Sequence, residues 1–373
     1  MRGRDTAQPR EFAKPARTAK LRAALNPRTS PRLPTVDALR GIAALAVCWF
    51  HFTNAVAGFE LPAVLRAIGA HGWLGVEIFF VISGFIIPHA MHAAGYRPAD
   101  FGRFLLKRIV RIDPPYLAAI ALILVQAWLI AATGMQSGMP ADFSPMQVLL
   151  HLGYLNAFAG YSWLNPVFWT LAIEFQYYLV IALLFPLIAT ARIGRHALVF
   201  AGAALAAWLV PQEAFVCHYL FLFLLGIVTF QFRAGFLTRP AYLAALAVST
   251  IGTALTLQWI AAATGLGTAL LIAFVPGRRV GVLAFLGLIS YPLYLLHIPV
   301  GTRILTASLR LHLGWVENLA VLAIALAATI GASWLMHRWI ERPAQRWASA
   351  IRYRRAAIQP ATRPAAEPAT PGT

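Results

Sequence analysis

The chain has 373 residues, 60% of them hydrophobic and only 12% charged, with a mean hydropathy of +0.68. Soluble domains carry about 25% charged residues, so a soluble globular protein is excluded and a polytopic membrane protein is indicated. The net charge of +18 would point to nucleic acid in a soluble chain, but here the basic residues lie in tails and short loops, where they report topology and imply no nucleic-acid partner.

Residues 1–35 are rich in Arg, Lys and Pro, and no apolar core precedes a small-residue cleavage site. The reading is a disordered basic cytoplasmic tail without a cleavable signal peptide. A membrane crossing needs about 20 apolar residues. Ten candidate spans follow, at about 38–57, 73–93, 115–134, 166–188, 197–211, 215–232, 241–257, 259–276, 281–301 and 317–337. The fifth is short, and the seventh and eighth nearly abut. The broken apolar stretch 146–160 reads as an interfacial or re-entrant helix. A second disordered cytoplasmic tail is expected over 346–373, rich in Ala, Pro and Thr. The expected fold class is all-α: a polytopic membrane helical bundle over 36–345, with about ten transmembrane helices.

Lys and Arg positions set the expected orientation. With the N-terminus inside, 28 of the 31 basic residues fall in inward tails and loops. Only Arg66, Arg303 and Arg310 face outward. The chain is therefore expected to be N-in and C-in.

Within this apolar frame a few ionisable residues stand out. Arg40 and His51 share the run DALRGIAALAVCWFHF, otherwise nearly devoid of polar groups after Asp37. Eleven helical steps of about 100° put both on one helix face, about 16 Å apart along the axis. An imidazole at membrane depth is costly and marks a functional site by default. Glu174 and His297 lie in the outer halves of their spans, at depths consistent with a cavity shared with His51. Two readings remain for each: Glu174 is a site carboxylate or a protonated helix–helix hydrogen-bond donor, and His297 is a site residue or an interfacial histidine bound to nearby backbone. Glu77 is another acid inside a span, with a structural or site-supporting role. Ser83 lies in the same span, among Gly72, Gly75 and Gly84, which suit close helix packing. Cys48 precedes His51 by three residues and reads as a small apolar filler. The inward loop FGRFLLKRIVRIDPPY brings Arg108 and Arg111 to similar directions on a helix, suited to phosphate. Its Asp113-Pro114-Pro115-Tyr116 turn is expected to shape the entry to the third span. No metal-ligand, P-loop or dinucleotide motif is present in the sequence, so neither a metal nor a permanently bound cofactor is expected.

Six motifs in order give the chain a family resemblance. These are LPTVDALRGIAALAVCWFHF, GVEIFFVISGFII, KRIVRIDPPY, FWTLAIEFQYYLV, ISYPLYLLHIP and WIERP, the last ending at Pro343. Over about 35–345 the chain resembles acyltransferase family 3, membrane-bound O-acyltransferases that include O-acetyltransferases of bacterial surface glycans. It resembles the stand-alone form without a fused esterase-like domain. The resemblance implies acyl-CoA, first of all acetyl-CoA, as a cytoplasmic donor substrate. It implies a hydroxyl of an envelope or exported glycan or a lipid-linked sugar as acceptor, and a multi-pass place in the bacterial inner membrane. The family's histidine maps onto His51, its first-span basic residue onto Arg40, and its loop arginines onto Arg108 and Arg111, with Pro114 and Tyr116 following in the motif.

The expected mechanism uses Arg40, Arg108 and Arg111 to hold donor phosphates while the acyl arm reaches toward His51. His51 is either the general base for the acceptor hydroxyl or an acyl carrier itself, with Glu174 orienting it as a carboxylate does in a triad. His297, Glu77, Tyr116 and Ser83 are expected to support or bind substrate. The competing class is a proton-coupled exporter of a sugar or small molecule that uses Glu174 and His51 as a relay.

Overall fold

The computed structural model of the protein describes residues 33–133, 143–277 and 280–353. The two expected tails fall largely outside the described residues, as do Arg278 and Arg279. A helix stands at each expected span: α1 Pro34–Asn54, α2 Gly75–Ala93, α3 Phe101–Thr133, α4 Trp169–Ile188, α5 Ile193–Leu209, α6 Val216–Arg233, α7 Arg239–Thr256, α8 Trp259–Phe274, α9 Gly281–Leu296 and α10 Trp315–Met336. No strand occurs among the described residues. In a bilayer this is the expected economy, because a helix satisfies its backbone polar groups within itself.

Seven helical stretches among the described residues are long and apolar enough to cross a membrane. The other three helices are weaker on that measure. α5 and α8 are apolar but short. α7 opens on Arg239 and Pro240, and Ser249, Thr250, Thr253 and Thr256 dilute it. The stretch after α3 does contain a short helix, Pro145–His151, capped by Ser144 and followed by turns. A helix also covers Arg342–Ala350, so helical structure runs past residue 345 into the segment expected to be a disordered tail.

Helix contacts in the bundle rest on small residues, which let backbones approach where no hydrophobic effect drives association. α1 lies against α9 with Gly41 and Gly287 at the crossing; a Cβ on either would meet the partner's backbone. α2 crosses α6 in the same manner, Gly84 on Phe223 and Gly226 on Val81. Around that second crossing sits an aromatic core, including Tyr177 stacked on Phe223 at 4.1 Å between ring centroids. Each such pair contributes about 0.5–1.5 kcal/mol beyond its buried area.

Two departures from regular helix position the site. The expected loop and Asp113-Pro114-Pro115-Tyr116 turn are instead part of α3, a single 33-residue helix with both prolines inside it. Prolines inside a helix remove backbone hydrogen bonds, here those that would reach the Val110 and Arg111 carbonyls. Beside them the Tyr291 hydroxyl donates to the Ile112 carbonyl at 2.9 Å, and the Tyr154 hydroxyl donates to the Asp113 carboxylate at 2.9 Å. The second departure is a pair of π-helical turns, His297–Thr302 after α9 and His337–Glu341 after α10. Such turns are rare and frequent at functional sites.

Candidate active site

α1 is one uninterrupted helix, so Arg40 and His51 keep the expected separation along it. Arg40 opens onto a cavity of about 320 Å³ that is also lined by Lys107, Arg108 and Arg111 from α3, Ser83 from α2, and Glu174 and Tyr178 from α4. Tyr291 and Tyr294 of α9, Glu341 and Tyr353 complete its polar wall. Four basic side chains thus face two carboxylates, which leaves a surplus of positive charge suited to a polyanion. A second cavity of about 300 Å³ lies beside it, lined by Asp37, Arg40, Arg111, Glu341 and Gln345 among others. Arg40, Arg111 and Glu341 line both cavities and so stand between them.

The basic side chains are held in place. The Arg108 guanidinium lies over the Phe104 and Tyr178 rings, at 5.3 and 5.5 Å from their centroids. Its Nε is buried with no acceptor among the described residues. The Lys107 ammonium lies 5.6 Å from the Tyr353 ring centroid. Arg40 sits within electrostatic reach of Arg111, Glu341, Glu174 and Asp37. Glu341 is fixed by its π turn: the His337 Nδ1–H donates to its Oε2 at 2.6 Å, and Gln345 donates to its Oε1 at 2.8 Å.

His51 lies at the other end of α1, beside His297. Their ring centroids are 4.9 Å apart with the planes at 54°. Gly301, in the π turn, packs on the Phe52 ring so closely that a Cβ there would overlap it. This contact fixes the π turn against α1 at the level of His51. Each imidazole donates its Nδ1–H to a carbonyl one turn back: His51 to Val47 at 2.9 Å, His297 to Leu293 at 3.2 Å. A carbonyl only accepts, so in the neutral rings both Nε2 atoms carry the lone pair. His51 is partly exposed and His297 fully buried.

Tyr294 joins the two regions. It lines the charged cavity, and its ring centroid is 5.8 Å from that of His297. Phe79 meets Tyr294 edge-on at 5.7 Å, and a hydrogen bond of 2.9 Å ties the Tyr294 hydroxyl to Thr170. Tyr294 thus stands between the charged cavity and His297, and neither His51 nor His297 lines either of the two cavities.

The structure separates some residues that the sequence grouped. Glu174 accepts from Ser83 at 2.9 Å and from Tyr178, and it faces the arginines. Its hydrogen-bond partners are therefore Ser83 and Tyr178, while the Nδ1–H of His51 is bound to Val47; the triad-like orientation of His51 by Glu174 is replaced by backbone. Tyr116 is buried in packing, stacked on Tyr154 at 5.0 Å and donating to the His151 carbonyl at 3.3 Å. It lines neither of the two cavities. Glu77 is buried with Oε2 unpartnered among the described residues, and it also lies off the cavity walls. Several polar wall residues had not been singled out from sequence, among them Tyr178, Tyr291, Tyr353, Glu341, although it sits inside the WIERP motif, and Tyr294, one turn before His297.

A family model described as an acyltransferase domain, family 3, matches residues 33–338. The chain belongs to this acyltransferase family. It is accordingly a membrane acyltransferase, which decides against the exporter reading. Acyltransferase MdmB of Streptomyces mycarofaciens is 28% identical over 377 aligned positions, covering 89% of this chain and 96% of that protein. BcsY of Komagataeibacter xylinus, which carries the name of a membrane-bound transacylase, is 29% identical over 71% of this chain and 72% of its own length. The O-acetyltransferase OatA of Staphylococcus aureus is 30% identical over 44% of this chain, a match that spans 26% of OatA. No solved structure matches the chain.

Proposed function

We propose that the protein transfers an acetyl group from cytoplasmic acetyl-CoA to a hydroxyl of an envelope or exported glycan, within the bacterial inner membrane and with both ends of its membrane domain inside. The observation that carries this reading is the charged cavity at one end of α1 together with a free imidazole Nε2 at the other. The basic residues at the start of α1 and in α3 meet at one end of the bundle, as an inward-facing donor mouth requires. Arg108, Arg111, Lys107 and Arg40 hold the donor's phosphates through charge-assisted hydrogen bonds. The thioester arm runs toward Tyr294 and Phe79.

His51 acts as general base through Nε2, since its Nδ1 is engaged with Val47. The acceptor hydroxyl loses its proton to His51 and its oxygen attacks the thioester carbonyl carbon. The C–S bond breaks, and the departing sulfur recovers the proton from His51 to leave as the free thiol. Glu174, bonded to Ser83, shapes the electrostatics of the arginine cluster. Support for an oxygen acceptor comes from the similarity to OatA, an O-acetyltransferase by name.

The test is mass spectrometry of envelope glycans from cells with and without the protein, paired with transfer of label from radioactive acetyl-CoA. Loss of one acetyl group per repeat and label in the glycan fraction support the reading. Unchanged glycans and label in no envelope fraction refute it. Label trapped on the protein when donor is given without acceptor replaces direct transfer by an acyl-histidine route.

A further inference from the structure

His297 is the only fully buried histidine of the His51–His297 pair, and its Nε2 has no protein hydrogen-bond partner among the described residues. A buried acceptor left without a donor costs about 1–3 kcal/mol. Nothing in packing demands an imidazole there, because a leucine fills similar space without that cost. The π turn that begins at His297 adds a further local irregularity at the same residue. Both Nδ1–H groups point to their own helices, so the pair presents two basic nitrogens and no proton between them. Rings whose centroids lie 4.9 Å apart can bring facing nitrogens to the hydrogen-bond range of about 2.7–3.2 Å. A single added proton would give the buried nitrogen its missing donor.

We propose that His297 is a positioning residue that shares the proton His51 takes from the acceptor hydroxyl. The inference rests on His51 as the general base of the proposed reaction. When the hydroxyl O–H bond breaks, the proton goes to Nε2 of His51, and the resulting N–H donates to Nε2 of His297. The imidazolium forms with its charge spread over a hydrogen-bonded pair of rings. When the C–S bond breaks, the sulfur takes that proton back, and both imidazoles return to the neutral state. His297 thus plays toward His51 the part that the sequence had offered to Glu174. It does so with a neutral partner, which avoids placing a carboxylate at that depth.

The experiment compares His297→Leu and His297→Gln in the full-length membrane protein, using radiolabelled acetyl-CoA and the envelope fraction of cells that lack the protein. Leucine keeps bulk and removes the acceptor. Glutamine restores an acceptor oxygen and a donor for the Leu293 carbonyl. The expected result is a fall in kcat of about 100-fold for His297→Leu, within the range of a general-base contribution, with KM for acetyl-CoA unchanged and most of the rate recovered by His297→Gln. A wild-type kcat in His297→Leu overturns the proposal, and so does equal loss in both variants. If neither variant reaches the membrane, the proton inventory of the wild type in H2O–D2O mixtures decides. A bowed dependence shows two protons in motion, as the pair requires, whereas a linear one overturns it. His51→Gln with full transfer would instead sink the general-base reading itself, and His51→Gln inactive beside a fully active His297→Leu would sink only the proton-sharing pair.

Discussion

The two ends of α1 are built on different principles. Around Arg40, charge is abundant and partly redundant: three further basic side chains face the same cavity, and two carboxylates offset them. Around His51, one partly exposed ring meets one buried ring, and both are fixed to backbone carbonyls. A polyanion is held by a sum of contacts, each worth about 1.5–3 kcal/mol when a charged group takes part. A proton transfer has no such sum, because one nitrogen takes the proton. Damage at the first end should therefore appear in donor affinity, and damage at the second in turnover.

The largest effect is expected at His51. His51→Gln should lower kcat by about 10²–10⁴-fold, the usual contribution of a general base, and leave KM for acetyl-CoA nearly unchanged. Initial rates against acetyl-CoA concentration measure both. A raised KM with intact kcat would invert the comparison between the two ends. Arg108→Ala should come next. It removes one charge-assisted contact and should weaken donor binding by about 10–100-fold, read as KM or as direct binding of acetyl-CoA to the purified protein. Arg108→Lys should recover only part of this. The guanidinium lies over both the Phe104 and Tyr178 rings, a placement that a compact ammonium does not reproduce. Unaltered donor binding in Arg108→Ala would remove the phosphate assignment.

A smaller effect sharpens the boundary between the ends. Phe79 and Tyr294 meet edge-on in the cavity wall, and Tyr294 lies next to His297. Phe79→Ala should raise the rate with butyryl-CoA relative to acetyl-CoA by about tenfold, the size of discrimination that one or two methylenes give. Competition between the two thioesters in one reaction measures the ratio directly. An unchanged ratio would place the acyl group elsewhere.

The bundle was legible because apolar length and helical periodicity are one-dimensional signals. A helix stands at each expected span, and α1 carries Arg40 and His51 as its periodicity requires. The arginines of α3 were legible for the same reason, although Pro114 and Pro115 suggested a turn where a helix continues. Where it continues, a hydroxyl from Tyr291, far away in sequence, donates to the Ile112 carbonyl. The pairing of His51 with His297 and of Glu174 with Ser83 could not be read, since depth along a span fixes one coordinate and leaves rotation about the helix open. Glu341 shows a different limit. Its motif was visible, but a π turn sets its side chain in the same cavity walls as Arg40, within electrostatic reach, and periodicity at 3.6 residues does not foresee that geometry.

Tyr116 gives the smallest expected effect and the cleanest test of that last distinction. It belongs to the same motif as Arg108 and Arg111, yet its ring is stacked on Tyr154 and set edge-on to Phe168. Its hydroxyl makes a long 3.3 Å bond to the His151 carbonyl, which also accepts from the Tyr154 backbone N–H at 3.3 Å. Tyr116→Phe therefore leaves that carbonyl with a donor and keeps the ring packing. The loss of stability should be no more than about 1 kcal/mol, and kcat and KM per folded molecule should match the wild type. Tyr116→Ala removes the ring as well and should cost about 3–5 kcal/mol, seen as a lower thermal midpoint in detergent. If Tyr116→Phe instead lowered transfer without lowering the midpoint, the hydroxyl would belong to the reaction and the charged cavity would have to extend further along α3 than its walls now show.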